Sequence, residues 1–120
     1  MYKTDFFIAK GKKRNDRGNV GSYEFERVSG YGELFEAPNG TLIEIGIYKS
    51  GDEWVATEIS TGLSLGKHGA TRSKVLKKIT PEFLLSVSKV MKTMLVKEIA
   101  EDLENYILQD GKGSKKYENK

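Results

Sequence analysis

The residues able to do chemistry in this chain are few, and their types narrow the choice at once. Its 120 residues include one histidine and no cysteine, which removes disulfide, iron–sulfur and thiol chemistry. His68 lies in the basic turn Gly66-Lys67-His68-Gly69 and reads as a solvent-exposed side chain rather than a ligand or general base. A metal site would need carboxylates alone, and the acids alternate along strands instead of converging on one loop. Gly62-Leu63-Ser64-Leu65-Gly66-Lys67-His68 has the outline of a phosphate-binding loop, but three residues separate its glycines instead of four. His68 also stands where the magnesium-holding hydroxyl belongs. A nucleotide hydrolase is not expected, nor is any enzyme, cofactor or small-molecule substrate. Two readings of Gly66–Ala70 stay open: a helix start whose amides seat one phosphate, or a plain loop-to-helix turn.

The remaining candidate constellation combines bases with aromatics. Net charge is only +3, but residues 1–17 balance at +4, residues 18–66 at −6, residues 67–78 at +5 and residues 79–120 at zero. Two short basic segments therefore flank an acidic middle. Nine of the twelve aromatics fall in the first 54 residues. Single-stranded nucleic acid is held by aromatics stacking on bases while Lys and Arg follow the backbone. The residues fitted to that task are Lys10, Lys12, Lys13, Arg14 and Arg17 on one segment, Lys67, Arg72 and Lys74 on the other, and Tyr48 and Trp54 for stacking. Tyr48 and Trp54 fall opposite the aliphatic sets of their strands, so they either stack on bases or pack beneath a helix.

The elements that position them follow from periodicity. Tyr2–Ala9 alternates as a strand with Phe6 and Ile8 inward and Phe7 on the other face. Lys10–Gly21, with three glycines and five bases, reads as a mobile loop or a phosphate-contacting surface. Ser22–Val28 and Tyr31–Ala37 are strands separated by a break at Ser29-Gly30. Asn39-Gly40 predicts a two-residue type I′ hairpin turn after Pro38. Thr41–Lys49 puts Ile43, Ile45 and Ile47 toward the core, and Gly46 opposite them marks a bulge or strong bend. Ser50-Gly51-Asp52 turns the chain into Trp54–Ile59, followed by Leu63–Leu65. Thr71 caps a short basic helix, Arg72–Ile79. Thr80 caps a second, with Pro81 at its first position.

That second helix reads as continuous to Gln109 through the stripe Leu84, Val87, Met91, Leu95, Ile99, Leu103 and Tyr106. About 28 residues make it about 42 Å long. Its charges run from Lys89, Lys92 and Lys97 to Glu98, Glu101, Asp102 and Glu104, against the helix-dipole preference. Antiparallel pairing of two copies would match basic half to acidic half, so a homodimer through Pro81–Gln109 is expected. The whole is mainly β with a C-terminal helix. Residues 1–79 form a small curved-sheet β-barrel, 80–110 the long helix and 111–120 a disordered polar tail. No apolar run suits a signal peptide or membrane span, and a cytoplasmic location is expected.

The basic loop Lys10–Arg17, the aromatic strands through Trp54 and the low-complexity tail give residues 1–80 an architecture that resembles the small single-stranded-DNA-binding proteins of phages infecting Gram-positive bacteria. That resemblance implies a barrel of the oligonucleotide-binding type, a role in phage DNA replication and recombination, and the host cytoplasm as location. Two features differ from that family: no helix interrupts Tyr31–Ile59, and the tail tip Ser114–Lys120 is basic. Strands followed by a long helix also resemble the Whirly-type arrangement, which binds the same ligand. The expectation is a non-enzymatic, sequence-tolerant single-stranded-DNA-binding protein. The alternative is a phage-encoded protein-interaction module, an inhibitor of a host enzyme, that uses the acidic sheet as its surface.

Overall fold

The computed structural model describes residues 1–14 and 20–118, with side chains outside 11–23 and 109–120. Five antiparallel strands pair in sequence order: β1 Tyr2–Arg14, β2 Val20–Glu36, β3 Leu42–Ser50, β4 Glu53–Glu58 and β5 Leu63–Gly69. Three helices follow, α1 Arg72–Lys77, α2 Pro81–Val90 and α3 Met94–Glu118.

Cross-strand partners share a face of the sheet, and the register sorts the side chains accordingly. Ile43, Ile45 and Ile47 pair with Phe35, Glu33 and Tyr31 on one side. On the other, Ile45 and Ile47 pair with Glu58 and Ala56. The three isoleucines and Ala56 are fully buried, and Val75 of α1, Ile79, and Leu84 and Val87 of α2 close over them. Each buried isoleucine contributes roughly 1.5–3 kcal/mol relative to exposure. The helices thus cover the face to which the isoleucines were expected to turn.

On the opposite face, glycines allow close approach. Phe6 reaches from β1 to β3, where a Cβ on Gly46 would lie 2.6 Å from its ring. Gly46 makes room for that ring, and the register runs through it without the expected bulge in either ladder. Gly30, expected to break the strand, lies inside β2, where a Cβ would stand 2.2 Å from the Ile47 carbonyl oxygen. The glycine allows close backbone approach and the strand continues. The sheet is open where a barrel is expected. Among the described residues no ladder joins β5 to β1, and Ala9 N–H donates to the Gly62 carbonyl at 2.8 Å where β1 meets the turn before β5.

Several local expectations are corrected. Asn39 does not take positive φ, so the β2–β3 turn is not type I′; Gly40 alone does, at +85°. Gly40 N–H donates to the Ala37 carbonyl, and Ala37 N–H to that of Thr41, both at 2.8 Å. This is a three-residue loop, a type I turn closed by a glycine bulge. Lys10–Gly21 is no simple loop: β1 runs on to Arg14 and β2 starts at Val20, with register shifts after Ala9 and Lys12. Pairing with the β-favouring run Tyr23–Phe25 carries the polar segment into the ladder.

The continuous helix is also interrupted. α2 ends at Val90 with Met91 as its C-cap, and Thr93 Oγ1 accepts from Val96 N–H at 3.4 Å, a new cap that starts α3. The break lets α3 leave the isoleucine cluster and cover β1 and β2, where Tyr106 meets Phe7 at 5.5 Å and Phe25 at 5.4 Å. α3 passes Gly111, where its end and a disordered tail are expected. Both capping threonines are as expected: Thr71 Oγ1 accepts from Lys74 N–H and Thr80 Oγ1 from Phe83 N–H, each at 3.1 Å.

Candidate nucleic-acid interface

β2 outruns β3. Its ladder with β3 ends at the Gly30–Tyr48 pair, while residues 20–29 stay paired only with β1. The result is a two-stranded ribbon that leaves the sheet beside the β3–β4 turn. In the angle lies a cleft of about 390 Å³, lined among others by Lys10, Glu26, Ser29, Tyr48, Lys49 and Ser50. Two expected site residues, Lys10 and Tyr48, meet there. The Tyr48 ring is steadied edge-on by Phe6, with centroids 6.1 Å apart and planes at 73°, a preferred aromatic geometry. Lys10 Nζ lies 3.2 Å from Glu26, and both side chains are just over half exposed. Such an ion pair is worth about 0–1 kcal/mol, so a phosphate can compete for the lysine.

A second cluster stands on the helix-bearing face. Arg72, at the start of α1, places its guanidinium 3.8 Å from the Tyr31 ring centroid and 5.5 Å from that of Trp54. The two rings are 6.1 Å apart. Trp54 is half-buried and packs against the core, so it joins the core and the cation cluster together. Lys49 Nζ approaches the same indole at 6.0 Å while also lining the cleft. It is the residue common to both groups.

The other expected residues are placed differently. Lys67 Nζ sits 4.6 Å over the Phe83 ring of α2, and Lys74 is exposed in α1. Lys12, Lys13 and Arg14 continue β1 beyond the cleft, but their side chains, and all of Arg17, lie outside the described residues. Gly66–Gly69 belongs to β5, with Gly66 at φ +72°, and the helix after it is only six residues long. The reading of Gly66–Ala70 as a phosphate-seating helix start is therefore corrected. His68 Nδ1 lies 3.0 Å from Glu53, with both side chains exposed. Among the described residues no group of three or more His, Asp or Glu converges.

Sequence reasoning missed Tyr31 and Lys49. Lys49 was within reach, because a two-residue turn at Gly51-Asp52 sets it opposite Trp54. Tyr31 depends on how α1 folds back, which no local signal carries. Buried Glu58 was missed as well. Its carboxylate accepts from Ser60 N–H at 2.9 Å, Ser60 Oγ at 2.7 Å, Thr61 N–H at 3.1 Å and Thr61 Oγ1 at 2.6 Å. The signal was an acid two and three residues ahead of paired hydroxyls, which holds the β4–β5 turn and with it Gly62. No described helix is long and apolar enough to cross a membrane. No protein-family model matches the chain, and no curated protein or solved structure does either.

Proposed function

We propose that the chain binds single-stranded DNA with little sequence preference and without catalysis, and serves DNA replication or recombination in that capacity. The observation that supports this most is the joining of Tyr48, Lys10 and Lys49 in one cleft at the root of a ribbon whose sequence continues as Lys12-Lys13-Arg14. An aromatic steadied from behind offers a base a sequence-tolerant stacking surface, and lysines on either side suit the phosphates that flank it. Lys49 links the cleft to Arg72, so a strand leaving Tyr48 meets a second cation at the Tyr31–Trp54 corner. The curved sheet then acts as an oligonucleotide-binding platform, with the ribbon as its basic margin.

The test is the anisotropy of labelled oligo-dT titrated with protein at several salt concentrations. Affinity is expected to fall with salt at a logarithmic slope of about 0.7 for each phosphate contacted, with duplex DNA bound more weakly. Absence of any salt-sensitive binding would end this reading.

A further inference from the structure

The same sheet face has a second end with the opposite chemistry. Leu34 pairs with Glu44 and Glu36 with Leu42 across β2 and β3. Two leucines and two glutamates thus form a checkerboard, each type on its own diagonal. Both leucines are 58% exposed, on a sheet whose core isoleucines are fully covered. Tyr2 extends the patch: its ring lies against Gly32, where a Cβ would stand 2.8 Å away, and its hydroxyl donates to Glu44. Leu42 and Tyr48 are six residues apart on β3, or about 20 Å, so the patch and the cleft are separate surfaces of one face.

We infer that this checkerboard is a docking surface for a cationic, apolar segment of another protein. Two leucines exposed side by side on a sheet face, with Tyr2 beside them, mark a contact site, and the glutamates decide what the contact is. They repel phosphate, so the patch does not extend the nucleic-acid site. Two copies meeting through it would bring glutamates against glutamates. Across β2–β3 neither glutamate faces a cation, because a leucine fills each partner position. Side chains two residues apart share a face of an extended segment. A segment with Leu or Val at one position and Lys or Arg two residues on therefore sets its apolar side chains on the leucines and its cations on the glutamates. This inference does not depend on the DNA reading.

The test uses the full chain and labelled peptides. The leucine–lysine peptide repeats Leu-Ser-Lys-Ser, which puts leucine and lysine on one face when extended; the leucine–glutamate and serine–lysine controls repeat Leu-Ser-Glu-Ser and Ser-Ser-Lys-Ser. The leucine–lysine peptide is expected to bind at least about tenfold tighter than either control, a difference of about 1.4 kcal/mol. Leu34→Ser with Leu42→Ser should remove that preference, and Glu36→Lys should weaken it. Both leucines are exposed, so the thermal melt of the double variant should match the parent and show that the fold survives. Equal binding by the leucine–glutamate peptide, or undiminished binding to the folded double variant, would overturn the inference. So would self-association of the chain that the double variant abolishes, since the occupant would then be a second copy.

Discussion

The Phe6 ring rests against Gly46 two strands away, filling the space that any side chain at position 46 would need. The same ring meets Tyr48 edge-on and so sets its pose. Gly46→Ala places a methyl 2.6 Å from a ring that is only 4% exposed. The variant should lose about 1–3 kcal/mol, the usual range for overpacking. Urea unfolding measures it. Combined with Phe6→Leu, the loss should fall short of the sum of the single losses, because the two changes share one contact.

Glu58 carries the second prediction. Its four accepted hydrogen bonds leave no oxygen to spare, so the amide nitrogen of Glu58→Gln would face two donors. The expected loss is about 1–3 kcal/mol. Because the turn it holds accepts from Ala9 N–H through Gly62, amide hydrogen exchange at Ala9 should quicken more than at Ile45. Equal protection at Ala9 in parent and variant would separate Glu58 from the β1 junction.

The binding cleft makes a divided prediction. Tyr48→Ala should weaken oligo-dT binding by about 1–3 kcal/mol and leave the salt slope unchanged, because it removes stacking alone. Lys49→Ala should lower the slope by about 0.7 as one phosphate contact disappears. Identical slopes for Lys49→Ala and the parent would remove Lys49 from the phosphate path.

Tyr2 gives a pH dependence. The hydrogen bond to Glu44, with smaller effects of burial and of that carboxylate's charge, holds its hydroxyl above the ordinary value of 10.0. The protonated phenol is the form favoured by folding. Its stabilising effect is therefore fully present below pH 10 and is lost as pH rises through the raised folded value. In an absorbance titration, Tyr2→Phe should delete a late-ionising component.

Local features were legible in the sequence because short-range rules govern them. The inward isoleucines of β3, the capping threonines 71 and 80 and the Phe6–Ile8 alternation all depend on neighbours within a few residues. Features set by distant contacts were not. The stripe Leu84–Tyr106 keeps its period across Met91–Thr93, so nothing in the pattern announces a break made so that α3 can cover Phe7 and Phe25. Gly30 reads as a break until the Ile47 backbone is seen beside it. The site was half legible: residue types marked Lys10, Tyr48, Trp54 and Arg72, but only the register shows that Tyr48 and Trp54 occupy opposite faces. Lys49, between them, looked like a strand end.

The central claim is that one face of this sheet is divided, with nucleic acid bound at the Tyr48 end and excluded from the Leu34–Leu42 end. Amide chemical-shift mapping of the labelled protein with oligo-dT tests it most directly. The account predicts that the largest shifts fall at Lys10, Tyr48, Lys49 and Ser50, while Leu34, Glu36, Leu42 and Glu44 stay in place. Shifts centred on the leucines and glutamates, or none at saturating oligo-dT, would contradict it.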